Sequence, residues 1–556
     1  MTNRQKPIWA RFYSPNVDPF FEPEPICVNR LIGRAFAQYE DRIFIEYRGE
    51  EISYGEMRRR VGQASAALRA AGILPGDRVA LHLPNCPWHP VLFFGALAVG
   101  ATVTHLSPLD APEEIASKVE DTSPKLLFST DAADMLAPLS RAFPHGNLPP
   151  IFICPDAVPG REWDGRPLAG ARPVSLLLAG HEPAEDLPLD MPLDHPALLQ
   201  FTGGTTGAPK AAVLTHGNLS AAAQTVAHVN IDEPAAQPGK KALQYAPLFH
   251  IMGLVGNMMR RAQEGGYISL RQRFDAAACI DDVERLGINT LAGVPTMWIG
   301  ILGVQGISGR DLSSLDYVAA SGAPLPREVY NRILALTGLR LRGGWGMTES
   351  SALGCQLPRN IPEEKLGATG IPNPAMEFRV VDPEDPNRVL AIGETGEFIL
   401  RGPSIMKGYW NRPEETAAAF HEDWLLTGDI GYMDEDGFVF LVDRKKDVIL
   451  SGGYNVYPLT IENAIHRHPD VSEAIVIGVP DAYRGESAKA FICLNQGASP
   501  FTLKELQDFL SDKIGRHEVP RFLEFRDSLP RTAVGKASRR VLKDEEAARL
   551  SAGSAK

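Results

Sequence analysis

The chain has no apolar run long enough to cross a bilayer. Its most apolar stretch, residues 91–103 following Pro90, falls short of the about 20 residues that a spanning helix needs and predicts a buried core helix instead. The first residues, MTNRQKPIWARFYSPNVDPFFEP, hold no apolar signal core. Cysteine is scarce. Cys27, Cys86, Cys154, Cys279, Cys355 and Cys493 lie far apart, and no two form a CxxC pair. That spacing excludes a disulfide scaffold and a zinc site, and predicts reduced, mostly buried thiols in a cytoplasmic protein. Positive charge is in deficit: a net charge of −12 argues against a nucleic-acid partner. No G-x-S-x-G elbow occurs, which removes the common serine-hydrolase reading. Internal repeats and low-complexity tracts are absent as well.

What is present is the texture of an ordinary globular protein, 44% hydrophobic and 22% charged, in a chain of 556 residues that is too long for one ordinary domain. The first part alternates helices with apolar strands. Ser53 and Glu56 form a capping-box pattern that starts a helix ending near Gly72, with Arg58, Arg59 and Arg60 on a solvated face. RVALHLPN, residues 125–129 and PPIFICPD read as buried strands. Such alternation predicts parallel sheets faced by helices. Residues 155–195, rich in Pro, Gly and Asp, read as a surface excursion, and a second strand–helix series covers 244–341. From Ala368 short strands and turns take over, with Asp436-Gly437 marking a hairpin before FVFLVD. Beyond Lys446, SEAIVIGV and AKAFICLN read as strands, and Thr502 and Glu505 cap an amphipathic helix stopped by Gly515. The predicted class is α/β. A large domain (1–445) of helix-flanked sheets carries a β-rich subdomain (about 368–443), and a small α+β domain (446–556) follows.

Residues 201–210 read FTGGTTGAPK. Glycines free backbone N–H groups to face an anion, threonines add hydroxyl donors and a lysine adds charge, so the run reads as a polyphosphate cradle. It is not the strand–loop–helix P-loop, because Pro209 precedes Lys210 and Ala211 follows it. Three further runs accompany it: GWGMTES at 344–350, TGDIGYMDEDGFVFLVDRKKDVILSGGYNVYP at 427–458, and LPRTAVGKASRR at 529–540. In this order and spacing they resemble the adenylate-forming superfamily of acyl-CoA synthetases, luciferases and peptide-synthetase adenylation domains. The resemblance runs from about residue 30 to about residue 545. GGTTG and the VDRKKD to YNVYP run look most like bacterial medium- and long-chain fatty acyl-CoA ligases.

The resemblance implies a carboxylate that attacks the α-phosphorus of ATP, and a CoA thiol that then displaces AMP. It implies ATP and CoA as co-substrates and Mg²⁺ as cofactor. Thr202, Gly203, Gly204, Thr205, Thr206, Gly207 and Lys210 would hold the β- and γ-phosphates. Thr348 would donate to the α-phosphate, and Glu349 would ligate Mg²⁺, a hard cation that prefers oxygen ligands. Gly344, Gly346 and Met347 belong to the same nucleotide-binding run. Trp345 stands where relatives carry Tyr or Phe and would stack on adenine. Gly322, Ala323 and Pro324 match the adenine-edge loop. Asp429 would accept from the ribose hydroxyls, and Arg444 would contact the ribose or a phosphate as well. Lys536 resembles the lysine that bridges carboxylate and α-phosphate, although by itself it would read as a solvated lysine in a basic tail with Arg531, Arg539 and Arg540. Its PRTAVGK context also resembles relatives switched off by acetylation, which implies an acetyltransferase and a deacetylase as partners. His250 matches the residue that gates the acyl pocket. Gly452 and Gly453 match the glycines that let pantetheine pass, and Lys446 matches the hinge. Gly203 and Ala211 replace the commoner serine and glycine of the loop.

The acid itself is the open point. Gly253, Gly343 and Gly344 are expected to leave room near the substrate carboxylate. Arg342, the nearby cation that a second carboxylate would need, is expected to face solvent. A medium- or long-chain fatty acid is the first choice. A dicarboxylic or aromatic acid, or loading of a carrier protein by a stand-alone adenylating enzyme, is the alternative. A lipid substrate would favour peripheral membrane contact. No carrier segment is visible, and the sequence leaves the oligomeric state open. A non-catalytic nucleotide-binding protein is disfavoured by the presence of Thr348, Glu349, Asp429, Arg444 and Lys536 together.

Overall fold

The computed structural model describes residues 6–143, 149–156, 168, 170–183, 190–202, 209–233, 239–321, 327–452, 454–481, 483–531 and 538–553. Two large sheets dominate the first two-thirds of the chain. The first has seven strands in the spatial order Arg172–Pro173, Ile151–Cys154, Leu126–Thr130, Arg78–Leu81, Thr102–His105, Pro196–Thr202, Lys210–Thr215. All neighbours run parallel except the last pair. Parallel neighbours require crossovers. Helices Trp88–Ala98 and Pro112–Thr122 supply two of them. The apolar stretch 91–103, expected to be a core helix, is one as far as Ala98, with every residue from 89 to 98 buried, and its end, Thr102 and Val103, opens the next strand. No helix among the described residues is long and apolar enough to cross a membrane.

The second sheet has six strands, in the order Tyr317–Ala320, Thr290–Gly293, Lys241–Gln244, Tyr267–Leu270, Ile43–Tyr47, Glu50–Ser53. Its first five strands are parallel and only Glu50–Ser53 is antiparallel. Ile43–Tyr47 thus leaves the helices that follow it in sequence and pairs with the second series, Ile45 opposite Ile268. Helix Tyr54–Ala70 starts where Ser53 accepts from the Glu56 N–H at 3.0 Å. Arg59 and Arg60 on its outer face pair with Glu56, as a solvated face should.

The β-rich part forms an antiparallel sheet of Glu377–Val381, Gly396–Arg401, Phe420–His421, Trp424–Met433 and Val439–Arg444. The Asp-Gly hairpin lies where expected, with Gly437 at φ +85° and Asp434 accepting from the N–H groups of Asp436 and Phe438. The last part builds a mixed sheet around the long hairpin Val471–Asp481 and Gly485–Leu494, with Phe522–Phe525 added in parallel. Its core, including Ile461, Ile465, Val476, Ile492, Leu506 and Leu510, is a cluster of its own. Thr502 and Glu505 close a full capping box, but the helix they start ends at Leu510, before Gly515 is reached. All six cysteines are buried and none is joined in a disulfide, and burial pushes the Cys86, Cys154, Cys279 and Cys355 thiols up, which disfavours their reactive thiolate form.

Candidate active site

The phosphate-loop run connects two antiparallel strands. Thr202 pairs with Lys210 at the mouth of the Pro196–Thr202/Lys210–Thr215 hairpin. Gly203, Gly204, Thr205, Thr206 and Gly207 lie outside the described residues, as do Gly322, Ala323, Pro324, Gly453 and Lys536. Lys210 returns from the loop with its Nζ 5.1 Å from the centre of the Tyr409 ring.

Tyr409 leads to the second motif. Its hydroxyl donates to Glu349 Oε1 at 2.9 Å. Burial, and then the Glu349 charge, push that hydroxyl far above its ordinary value, so it remains a donor. Glu349 sits in the short turn Thr348–Ser350 and is 8% exposed. Burial raises its carboxyl, opposed by its own backbone N–H, by Tyr409 and by the Arg444 charge. No Lys or Arg lies at ion-pair distance from Glu349 among the described residues. A buried carboxylate with one hydroxyl donor and no paired cation suits a hard divalent ion. No cluster of three or more His, Cys, Asp or Glu that could hold a metal occurs among the described residues, so such an ion would complete its shell with phosphate and water oxygens.

The third motif joins through Trp345. The indole N–H donates to Asp429 Oδ2 at 2.7 Å, a bond that Phe could not make. The ring stands edge-on to Phe398 and Phe378, at 5.6 and 6.3 Å between centres, and Gly354 gives it space. Asp429 is 2% exposed, on strand Trp424–Met433 and in register with Arg444 on Val439–Arg444. Arg444 Nε lies 2.9 Å from Oδ1, close enough for charge attraction but not aligned as a hydrogen bond. Oδ1 is therefore a buried acceptor that lacks a hydrogen-bond donor, a state that native structures rarely leave unfilled. A ribose hydroxyl would fill it. Beside it lies a cleft of about 300 Å³ lined by Thr427, Gly428, Arg444, Lys445 and Lys446.

His250 follows a tight turn, its N–H bonded to the Pro247 carbonyl at 3.0 Å and its Nδ1 3.3 Å from the Met252 N–H. Directly after it, Met252–Met259 is a π-helix, a form that concentrates at functional sites. Sequence reading missed Gln200. Its amide donates to the Phe249 carbonyl at 2.9 Å, and its Oε1 lies 2.9 Å from His105 Nδ1. It ties the His250 turn to the strand that enters the phosphate loop. An isolated glutamine in an apolar strand was the one available signal.

Two expectations fail. Gly253, Gly343 and Gly344 do not open space. A Cβ on each would collide with a backbone carbonyl, of Pro247, Ala320 and Cys355 respectively, so these glycines permit close backbone approach. Arg342 does not face solvent. It is 5% exposed and paired with Glu233, itself 4% exposed, and Nε donates to the Leu357 carbonyl at 2.9 Å. Arg342→Ala should therefore act on stability, lowering it by roughly 3–5 kcal/mol because Glu233 is left buried and unpaired. Thermal unfolding of Arg342→Met, Glu233→Gln and the double Arg342→Met/Glu233→Gln variant checks this; the double variant should be more stable than Arg342→Met, which leaves Glu233 buried and unpaired.

The flanks of Lys536 are tied down. Arg531 pairs with Glu473, and the Ser538 N–H donates to the Pro530 carbonyl at 2.8 Å. Arg539 is far from a solvated tail residue: it lies 2.8 Å from Glu462, 3.2 Å from Asp443 and 3.5 Å from Asp447. Lys446 occupies the turn Lys445–Asp447 inside this ring of charges, and Lys543 adds a 2.9 Å pair to Asp447. Burial outweighs the Arg539 charge at Asp443 and raises its carboxyl to about 6. Gly452 adopts φ +61°, and its N–H donates to the Arg484 carbonyl at 2.8 Å.

A family described as AMP-binding enzyme matches residues 32–410, and one described as AMP-binding enzyme C-terminal domain matches 460–536. The chain is 34% identical over 568 residues to the long-chain-fatty-acid–CoA ligase of Bacillus subtilis (strain 168), covering 98% of each protein. It is 35% identical over 504 residues to the feruloyl-CoA synthase of an Amycolatopsis species, covering 90% of this chain and 94% of that one. Among solved structures, ATP-bound MatB from Rhodopseudomonas palustris superposes with a TM-score of 0.82 at 28% identity, covering 94% of this chain and 99% of that one.

Proposed function

Because the chain belongs to the AMP-binding enzyme family, as an ATP-dependent acyl-CoA synthetase, we propose that its acid is a medium- or long-chain fatty acid and that the residues above divide the reaction among them. A carboxylate does not react with a thiol unaided, because oxide is a poor leaving group. One carboxylate oxygen attacks the α-phosphorus, pyrophosphate leaves, and the acyl group sits on AMP. The CoA sulfur then bonds to the acyl carbon as its proton departs, and AMP leaves with the bridging oxygen. Positioning two anions and stabilising charge at phosphorus is the task of the protein.

The observation that carries the assignment is one continuous chain of contacts. Lys210 meets Tyr409, which holds Glu349; three residues earlier in the same run than Thr348, Trp345 holds Asp429, which meets Arg444. Three motifs far apart in sequence thus share one place, which supports the reading that they serve phosphate, metal and ribose in turn. On this reading Thr202, Lys210 and the glycines and threonines between them hold the β- and γ-phosphates. Thr348, with Gly344, Gly346 and Met347 shaping its run, donates to the α-phosphate. Asp429 and Arg444 take the ribose, while Trp345 and the 322–324 loop take the adenine. Glu349 would hold Mg²⁺, which when bound offsets phosphate charge. Lys536 joins carboxylate to α-phosphate, His250 gates the acyl pocket, and Gly452 and Gly453 admit pantetheine. Lys446 is the pivot between a large part, 1–445, and a small one, 446–556; the separate apolar core of the latter supports that division. Six buried cysteines, none joined in a disulfide, support a reducing, cytoplasmic setting.

The likeness to a fatty-acid ligase and the engagement of Arg342 by Glu233 favour an apolar acid over a dicarboxylic one. An aromatic acid is the second reading, motivated by the feruloyl-CoA synthase relative. Pyrophosphate release across straight acids of graded length, benzoate, ferulate and malonate tests the choice. Specificity, as kcat/KM, should climb by roughly fourfold per added methylene until the pocket is filled, the equivalent of about 0.8 kcal/mol each. Ferulate as the best substrate would install the second reading.

A further inference from the structure

We propose that Tyr409 is a positioning residue that sets the distance between the cation-binding carboxylate of Glu349 and the phosphate-binding ammonium of Lys210. The proposal rests on the roles assigned above to those two residues. Two parts of one rigid side chain make the two contacts. The hydroxyl donates to Glu349 Oε1 at 2.9 Å, and the ring lies 5.1 Å from Lys210 Nζ, within the reach of a cation–π interaction. A donor on Oε1 stops the carboxylate from rotating and turns its other oxygen to the incoming cation. The negative face of the ring holds the ammonium where the loop ends. If the ring shifts, both contacts shift with it.

The backbone around Tyr409 is built to hold it there. Segment 406–410 lies alongside the strand that leaves the phosphate loop. Val213 N–H donates to the Gly408 carbonyl at 2.8 Å, Lys407 N–H to the Val213 carbonyl at 3.0 Å, and Trp410 N–H to the Ala211 carbonyl at 2.8 Å. On its other side the Met406 N–H donates to the backbone carbonyl of Glu349 itself at 2.7 Å. Tyr409 N–H is held by the Thr416 hydroxyl at 2.8 Å. Gly408 takes φ +143°, and a Cβ there would lie 2.6 Å from the Thr416 methyl, so the turn that presents Tyr409 needs glycine. One segment therefore clamps the loop strand and the Thr348–Ser350 turn together, and its tyrosine reaches the functional atom of each.

The test separates hydroxyl from ring. Tyr409→Phe removes the donor and keeps the ring, and Tyr409→Leu removes both. Three quantities are measured for each: acyl-CoA formation against free Mg²⁺, Mn²⁺ binding to the enzyme–ATP complex by electron paramagnetic resonance, and ATP binding in EDTA by calorimetry. Tyr409→Phe should raise the half-saturating Mg²⁺ and the Mn²⁺ dissociation constant about tenfold, the scale of one hydrogen bond to a charged group. It should leave ATP binding in EDTA unchanged. Tyr409→Leu should weaken that binding as well, about threefold, as expected for one cation–π contact. Because Tyr409 acts through Glu349, Tyr409→Phe should add nothing to the metal defect of Glu349→Gln, a non-additivity that general loosening of the fold would not produce. If Glu349→Gln raises the metal requirement and Tyr409→Phe does not, or if their effects add, the proposal falls while the role of Glu349 stands. If Glu349→Gln itself leaves the metal requirement unchanged, the assignment of Glu349 falls first. If Tyr409→Phe fails to fold, Thr416→Val, which frees the Tyr409 backbone, should raise the metal requirement by the same route, and its failure to do so would count against the proposal.

Discussion

Lys536→Ala is expected to lower acyl-adenylate formation ~10²–10³-fold while thioester formation from supplied acyl-AMP proceeds at its native rate. Negative charge builds at the α-phosphorus only in the first half-reaction, so a group that stabilises it is needed only there. Lysine suits the task because its ammonium is a compact charge on a flexible stem. The chain on either side of Lys536 is anchored by Arg531–Glu473, by the Ser538–Pro530 bond and by Arg539 among Glu462, Asp443 and Asp447. Acetylation of Lys536 removes the same charge and should give the same split. Quenched-flow measurement of acyl-AMP, beside a separate assay that begins from synthetic acyl-AMP, decides the matter. Equal losses in both halves would remove Lys536 from the chemistry.

Lys446→Pro should leave adenylation within a few-fold of native and lower the thioester step on the order of 10²-fold, the effect of reacting groups held out of position. Lys536 and the Gly452-Gly453 segment are proposed to serve different half-reactions from one small domain, so that domain must turn between them. The turn Lys445–Asp447 links strand Val439–Arg444 to strand Ile449–Ser451. A pivot there must absorb a large change in backbone angle, and proline fixes φ near about −65°. Lys446→Ala leaves the backbone free and should be mild. Of the surrounding ion pairs, Arg539–Asp443 at 3.2 Å joins the two sides of the pivot and has to give way to the motion, whereas Arg539–Asp447 and Lys543–Asp447 lie within the small part and can travel with it. A proline variant that makes acyl-CoA from acid, ATP and CoA at the native rate places the pivot elsewhere.

Much of this was legible in the sequence because it is local. Alternation gave the parallel strands, Asp436-Gly437 the hairpin, Thr502 and Glu505 the capped helix, and the apolar run after Pro90 the core helix. Three of the four motifs do meet. What escaped depends on distant partners. The crossing of Ile43–Tyr47 into the second sheet is decided by pairing with Ile268, which no window around Ile45 reveals. Arg342 reads as a surface residue until Glu233 is brought beneath it. Tyr409 lies in none of the motifs, and only the fold sets it between Lys210 and Glu349. The glycines misled for a related reason. Absence of a side chain says that something is close or that space is open, and only the neighbouring backbone decides which.

The most direct measurement of the central claim follows oxygen. A fatty acid labelled with ¹⁸O in both carboxylate positions is incubated with the enzyme, ATP, Mg²⁺ and CoA, and the products are weighed by mass spectrometry. Attack of the carboxylate on the α-phosphorus, followed by displacement at the acyl carbon, sends one labelled oxygen into AMP, leaves one in acyl-CoA and places none in pyrophosphate. Label recovered in inorganic phosphate with ADP in place of AMP, or label recovered in pyrophosphate, would contradict the account.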